Sequence, residues 1–347
     1  MEPIKTGLVA YGMSGTVFHA PFLDVNPYFE LHTIVERTKN NVHVRYPYVK
    51  TVRSYEELLA DPDIQLVIVN TPDVTHYEFA RLSLLAGKHT IVEKPLVFDV
   101  KEGEELVALA KKNRLMLSVY QNRRWDGDFL TVQKVLQSGV LGRVVEFQSA
   151  YQRYRNYIQA NTWKEKADRG VGITYNLGSH MIDQAVVLFG VPQAVFADID
   201  ALRGKSEVDD YYHIQLIYPD VKVSLRAGYL MREETPRYYI HGTAGSYVKY
   251  GLDLQEELLK AGHTPCSLGW GAEKESDWGI LNTDLNDLHF RGKIETLSGN
   301  YGAFYDDIFR AISTGTPPST DASGVLPVLR IIEAAFQSSK EHRLIPL

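Results

Sequence analysis

Cysteine is almost absent from this chain, which has only Cys266. A single thiol excludes an intrachain disulfide framework and a thiolate metal cluster, and it fits a reducing, cytoplasmic compartment. Basic charge is not in excess either. The 37 Lys and Arg against 43 Asp and Glu leave a net charge of −6, which offers no positive field to nucleic acid or an anionic membrane. Long apolar runs are missing. The most apolar stretch, AVVLFGVPQAVFA, is interrupted by Gly190 and Pro192 and stops at Asp198, so no membrane span is expected. The opening residues MEPIKTGLVAYG have neither the apolar core nor the small-residue cleavage site of a secretory signal. His19, His76, His213 and His241 are scattered without ligand spacing, so no metal site is expected. Internal repeats and low-complexity tracts are lacking as well.

What is present suits a globular protein with a sizeable core, since 44% of its 347 residues are hydrophobic and 23% charged. That length exceeds what one core usually organises and predicts two domains. In the first third, IKTGLVAYG, LHTIV, QLVIVN, HTIVE and MLSVY are short, nearly continuous apolar runs, as expected for strands covered on both faces. Helices lie between them. Ser54-Tyr55-Glu56-Glu57 reads as a capping box, Asp99 with Glu102 opens a second helix, and Gly87 closes the run THYEFARLSLLA. This alternation predicts an α/β fold with a parallel, doubly wound sheet over residues 1–122. Beyond Asn122 the rhythm changes. A helix over 126–138 leads into RVVEFQSAY, AVFADIDAL, YYHIQLIY, VKVSLRAGYL, RYYIHG and SYVKYG, which predict a largely antiparallel sheet in an α+β domain over 123–347. Residues 260–300, rich in glycine and weakly periodic, read as a long loop, and two helices near 302–314 and 321–340 finish the chain.

The first chemical motif is the turn after strand one, Ala10-Tyr11-Gly12-Met13-Ser14-Gly15. Glycines at 12 and 15 stand where backbone must approach a pyrophosphate and where a helix must pack on a strand, although Ala10 replaces the usual first glycine. Glu36 ends the second strand 24 residues past Gly12, where an acid would bind an adenosine ribose. Its carboxylate favours NAD, whereas the neighbouring Arg37 could grip a 2′-phosphate and permit NADP. Asn70-Thr71-Pro72 and Glu93-Lys94-Pro95 fall at carboxyl ends of strands, the ligand side of a doubly wound sheet. Taken alone, Lys94 reads as a solvated surface charge, but Pro95 stiffens the backbone that presents Glu93 and Lys94. In a helical segment, Asn176, His180 and Asp183 would share one polar face at i, i+4 and i+7. That stripe is read either as a core histidine satisfied by Asp183 or as a general acid/base held by polar neighbours.

These residues carry a resemblance. Glu93-Lys94-Pro95, the Gly12/Gly15 turn, Thr71-Pro72 with His76 four residues beyond the proline, and the segment from Asn176 to Asp183 together resemble the Gfo/Idh/MocA oxidoreductases. The likeness covers essentially the whole chain. GTVFHAPFL, YQNRRWDGDFL, TWKEKADRGVG, VDDYYHIQLIY and YIHGTAGSYVKYGLDLQE look like the branch acting on scyllo-inositol. The resemblance implies a Rossmann domain, a second domain with an open sheet, and homodimers or homotetramers built on that sheet. It also implies that the cofactor, NAD or NADP, is held by Gly12, Met13, Ser14, Gly15, Glu36, Arg37, Asn70, Thr71, Pro72, His76, Glu93, Lys94 and Gln121. It further implies that Lys94 orients a reacting hydroxyl and His180 moves its proton. Asn176 departs from the family pattern, which has Asp four residues before the histidine. Candidates for the substrate pocket, where the second domain would face the cofactor, are Tyr120, Arg124, Trp125, Tyr151, Tyr154, Trp163 and Arg169, because polyol sites combine aromatic faces with polar groups. The expected activity is NAD(P)-dependent oxidoreduction of a cyclic polyol or sugar. A nucleotide-bound regulator and an NAD-dependent glycosidase fit the same fold. Retention of Lys94 and His180 argues against the regulator, and turnover of aryl glycosides without added cofactor would single out the glycosidase.

Overall fold

The computed structural model describes residues 2–160, 162, 165, 166 and 170–347. The chain forms two compact units. The first comprises Met1–Asn122, Gln255–Trp270 and Asn300–Leu326, and the second Arg123–Leu254, Gly271–Gly299 and Pro327–Leu347. The sequence pattern alone places one boundary, after Asn122. The segments 255–270 and 300–326 return to the first unit because their apolar side chains complete its core. Tyr305 stacks on Phe22 at 5.6 Å, Phe304 meets Tyr120 edge-on at 4.8 Å, and Ser118 bonds Thr320 at 2.8 Å.

In the first unit, strands β1 (Ile4–Leu8), β2 (Phe29–Val35), β3 (Lys50–Val52), β4 (Leu66–Val69), β5 (His89–Val92) and β6 (Leu117–Val119) form one parallel sheet in the order β3-β2-β1-β4-β5-β6. This is the doubly wound order, and its direction of winding reverses between β1 and β4, where ligands bind beyond the carboxyl ends. β4 is buried along its whole length, as its unbroken LVIV run requires. β3 escapes the sequence reading because it is a three-residue edge strand with only Val52 buried. The helix starts follow the caps: Ser54 Oγ accepts from the Glu57 amide at 3.2 Å, and Asp99 Oδ1 from the Lys101 amide at 2.8 Å.

The second unit holds β7 (Val144–Gln152), β8 (Ala194–Asp200), β9 (Tyr211–Ile217), β10 (Lys222–Gly228), β11 (Tyr238–Gly242), β12 (Gly245–Lys249), β13 (Gly279–Leu285), β14 (Leu288–Ile294) and β15 (Ile345–Pro346). Their order is β14-β13-β12-β11-β7-β10-β9-β8-β15, antiparallel except for β7 with β10. Burial alternates along β9: Tyr212, Ile214 and Leu216 point into the core, whereas His213 and Gln215 face outward. The helix Ser179–Phe189 covers the inner face, with Phe189 against Phe147 at 5.3 Å and Tyr218 at 5.9 Å. Among the described residues no helix is long and apolar enough to cross a membrane.

The stretch 260–300 is not wholly loop. β13 and β14 make a hairpin whose turn places Asn286 at φ 48° and Asp287 at φ 66°, the primed geometry that suits the right-handed twist of paired strands. An Asn-Asp turn lacks the Asn-Gly signature, which is why the sequence conceals it. Glycine adopts positive φ without the Cβ penalty. Asp287→Gly should therefore stabilise the protein by about 0.5–1 kcal/mol. A raised thermal midpoint checks this, and a lowered one would contradict the strain argument.

Candidate functional site

The phosphate turn is built by close packing. A Cβ on Gly15 would lie 2.4 Å from the Ala10 carbonyl oxygen, so only glycine lets the helical turn it opens pack on the end of β1. A Cβ on Gly12 would meet nothing within 4 Å, which leaves open space where a pyrophosphate would approach. Gly12 and Met13 are exposed. Asn70 sits under the turn: Oδ1 accepts from the Ala10 amide at 2.9 Å and Nδ2 donates to its carbonyl at 2.8 Å. This reciprocal pair shapes the strand end where the usual first glycine is missing. Thr71 is half-buried, its hydroxyl 2.6 Å from that of Thr75, and Pro72 is exposed. Gln121, after β6, is buried, and its Oε1 has no hydrogen-bond partner among the described residues. An open cradle together with an orphaned buried amide oxygen fits a dinucleotide.

Glu36 is 6% exposed, and the structure gives both its oxygens partners: Oε1 accepts from the Asn41 amide at 3.0 Å and Oε2 from the Val42 amide at 3.1 Å. It therefore serves the start of the short helix Val42–Arg45. Arg53 secures the same loop, donating to the carbonyls of Glu36 at 2.7 Å and Lys39 at 2.6 Å. Arg37 and Lys39 are exposed.

Beyond β5, the Lys94–Pro95 peptide is cis. Glu93 Oε1 accepts from Ser14 Oγ and lies 3.1 Å from His19 Nε2, while Oε2 accepts from the Lys94 amide at 3.2 Å. Burial would raise the carboxyl pKa, but the hydrogen bond and charge of His19, the Ser14 bond and the Lys94 charge outweigh it and lower it to about 2. His76, fully buried, places Nδ1 2.7 Å from the Pro95 carbonyl and Nε2 3.1 Å from that of Thr71. Its ring therefore lies between the Pro95 and Thr71 loops. Lys94 is half-buried.

In the second unit, Asn176 lies in a π-helical turn, Thr174–Gly178, that runs into the helix Ser179–Phe189. Asn176 is exposed, His180 is 5% exposed and Asp183 1%. Arg124 grips Asp183 with two bonds, Nε to Oδ2 at 2.7 Å and Nη2 to Oδ1 at 2.6 Å. The π turn starts on Asp209, whose Oδ2 accepts from the Thr174 amide at 2.7 Å. Gly172, at φ 110°, is required beside it because a Cβ there would fall 1.8 Å from Asp209 Oδ1.

The remaining candidates divide. Tyr120 is buried, donating to the Phe18 carbonyl at 3.0 Å, and belongs to the aromatic core. Tyr151 is 3% exposed, with Arg237 4.4 Å and Arg123 5.4 Å from its ring centre, and burial pushes its hydroxyl up to about 12. Arg124 is occupied by Asp183. Tyr120 and Tyr151 are thus buried, and Arg124 is half-buried and paired. Tyr154 is exposed, with Arg232 4.1 Å from its ring centre, and Trp125 is half-buried. Trp163 and Arg169 lie outside the described residues. Sequence reasoning missed His19, Asp209 and Arg237, a buried cation whose Nη2 donates to Gln184 Oε1 at 2.8 Å. The one available signal for His19 was its place four residues after Gly15. Among the described residues no group of three or more His, Cys, Asp or Glu could hold a metal ion.

A model for an oxidoreductase family's NAD-binding Rossmann fold matches residues 4–121, and the model for that family's C-terminal alpha/beta domain matches 133–347. The chain belongs to the Gfo/Idh/MocA oxidoreductase family. It is 41% identical to the NADP(+)-dependent scyllo-inositol 2-dehydrogenase of Bacillus subtilis, over 100% of this chain and 97% of that protein. A levoglucosan dehydrogenase from Pseudarthrobacter phenanthrenivorans is 28% identical, with 86% and 84% covered. A solved structure from Bacteroides fragilis is 53% identical, with a TM-score of 0.94 and 100% of each chain covered. The chain is thus a family dehydrogenase acting on CH–OH groups, with an NAD-binding Rossmann domain.

A carboxylate held at about 2 stabilises the folded state at pH above its unfolded value near 4.5, and that contribution is lost as pH falls from about 4.5 to 2. Glu93→Gln should cost up to about 3 kcal/mol at neutral pH, with the difference from wild type closing over that window. Denaturant titrations at a series of pH values test this. A gap unchanged down to pH 2 would refute the ionised, donor-held carboxylate.

Proposed function

We propose that this family member transfers a hydride between nicotinamide and a secondary hydroxyl or ketone of a cyclic polyol of the inositol type, or of a sugar. The observation that carries this reading is the Glu93-Lys94-Pro95 loop at the carboxyl end of β5, braced by Ser14, His19 and His76. A cation presented on a braced loop is suited to orienting one oxygen, which an unrestrained surface lysine is not. The 41%-identical scyllo-inositol relative supports the polyol class, and the levoglucosan relative supports extending it to sugars. In this reading Lys94 donates a hydrogen bond to the reacting oxygen and His180 takes the hydroxyl proton. The nicotinamide, when bound, accepts or returns the hydride. Asp183, held by Arg124, keeps the helix that bears His180 in place, and Tyr154, Trp125, Asn176 and the chain around Trp163 and Arg169 are assigned to substrate. Assembly into dimers or tetramers through the outward face of the large sheet belongs to the same proposal.

For Lys94→Met, kcat/KM for scyllo-inositol should fall roughly 100-fold or more while NAD(P)H affinity stays nearly unchanged. Steady-state kinetics and the fluorescence of bound NADPH measure the two parts. Unaltered turnover would return Lys94 to the role of a solvated charge.

The cofactor choice moves from NAD towards NADP. Glu36 has its charge offset by two backbone amides at a helix start, which weakens its repulsion of a 2′-phosphate. Arg37 and Lys39 meanwhile stand exposed beside it. NADP(H) should bind more tightly than NAD(H), and Arg37→Ser should weaken NADPH by about 10-fold while leaving NADH within a few-fold. Fluorescence titration with both cofactors decides it. Tighter NADH binding by the unaltered protein would restore Glu36 as the ribose ligand.

A further inference from the structure

The proposed hydride and proton transfer gives His19 no role, yet its ring is fully buried and lies against Glu93 of the lysine loop. It closes the π-helical turn Gly15–His19, directly behind the phosphate turn. Nε2 faces Glu93 Oε1 at 3.1 Å, and because an ionised carboxylate only accepts, this nitrogen is the donor. On the opposite edge Nδ1 meets the Tyr305 hydroxyl at 2.8 Å, and that hydroxyl donates to the Phe18 carbonyl at 2.9 Å. The Tyr120 ring lies 4.5 Å from the imidazole, centre to centre, so the ring is fixed on its face as well as at both nitrogens. From Glu93 the chain of contacts continues to the backbone amide of Lys94 through Oε2 at 3.2 Å.

We propose that His19, backed by Tyr305, is a positioning residue: it fixes the Glu93 carboxylate and, through that carboxylate, the peptide from which Lys94 projects. The inference rests on the reading that Lys94 orients the reacting oxygen. A histidine that merely filled the core would need no acid in front of it and no hydroxyl behind it. Here removal of the ring leaves Glu93 with one side-chain donor, Ser14, which itself belongs to the phosphate turn. Lys94 would then sample directions that do not reach the substrate, which lowers turnover more than binding.

The full-length protein tests this with His19→Ala, His19→Gln and Tyr305→Phe. Residue-resolved amide hydrogen exchange needs no substrate. His19→Ala should speed exchange at the Lys94 amide on the order of 10-fold, the loss expected from weakening one charge-assisted hydrogen bond, while the Glu93 amide, bonded to the Val69 carbonyl at 3.0 Å, keeps its rate. With scyllo-inositol and NADP, kcat should fall roughly 10- to 100-fold while KM and the NADPH dissociation constant change little. His19→Gln, which keeps a donor for Glu93, should recover part of both effects. Tyr305→Phe should give the same changes at smaller size, and it carries the test if His19→Ala does not fold. Unchanged Lys94 exchange in the folded His19 variants overturns the proposal, as does a loss of turnover that appears only in KM. Tyr305→Phe matching wild type while His19→Ala is impaired overturns the part given to Tyr305. If the wild type oxidises no polyol or sugar, the proposed function fails, and the exchange result alone decides for or against His19.

Discussion

A carboxylate withdrawn from bulk water keeps its charge only where donors replace the solvent, and the region beyond β5 is arranged around meeting that demand at Glu93. The donors come from three segments: Ser14 from the phosphate turn, His19 from the turn behind it, and the Lys94 amide from the loop itself. One side chain thereby joins the strand end, the cofactor turn and the lysine loop into a single unit of structure. His76 acts on the other flank, its buried ring lying between the Pro95 and Thr71 carbonyls. The consequence is that Lys94 leaves a backbone held from both sides, although the lysine itself is only half-buried.

Each unit contains a π-helical turn beside a buried histidine. Gly15–His19 ends on His19, and Thr174–Gly178 stops two residues before His180. A π turn is rare, so neither is explained by local propensity. In both cases the turn is matched by a contact from another element. The first turn opens at Gly15, which is pressed against the Ala10 carbonyl, and the second begins where Asp209 takes the Thr174 amide. At the second turn, exposed Asn176 and buried His180 differ in burial despite their four-residue spacing.

Much of the fold was legible because it depends on local pattern. Continuous apolar runs marked five of the six parallel strands, and Ser54 and Asp99 marked helix starts. The hidden part depends on distant partners. His19 is decided by Tyr305, 286 residues away, and Arg124 by Asp183, 59 residues away. Both members of the second pair were visible as polar residues, but nothing local showed that each would consume the other. Tyr120 and Tyr151 likewise look like sugar-binding rings by type, and their burial, which type does not announce, is set by residues far along the chain. The segments 255–270 and 300–326 follow the change of rhythm in the chain, yet they cluster with the first unit.

Glu36 obeys the same rule at the other end of the cofactor region. An acid at the end of the second strand reads a ribose only if its oxygens face the ligand, and residue type says nothing of that. Here the loop after β2 turns back into the helix Val42–Arg45, whose first amides would be orphans without an acceptor. Glu36 supplies it, with one oxygen for Asn41 and one for Val42. The carboxylate that argues for NAD in the sequence thus becomes, in the structure, the support for a loop that presents Arg37 and Lys39 to solvent.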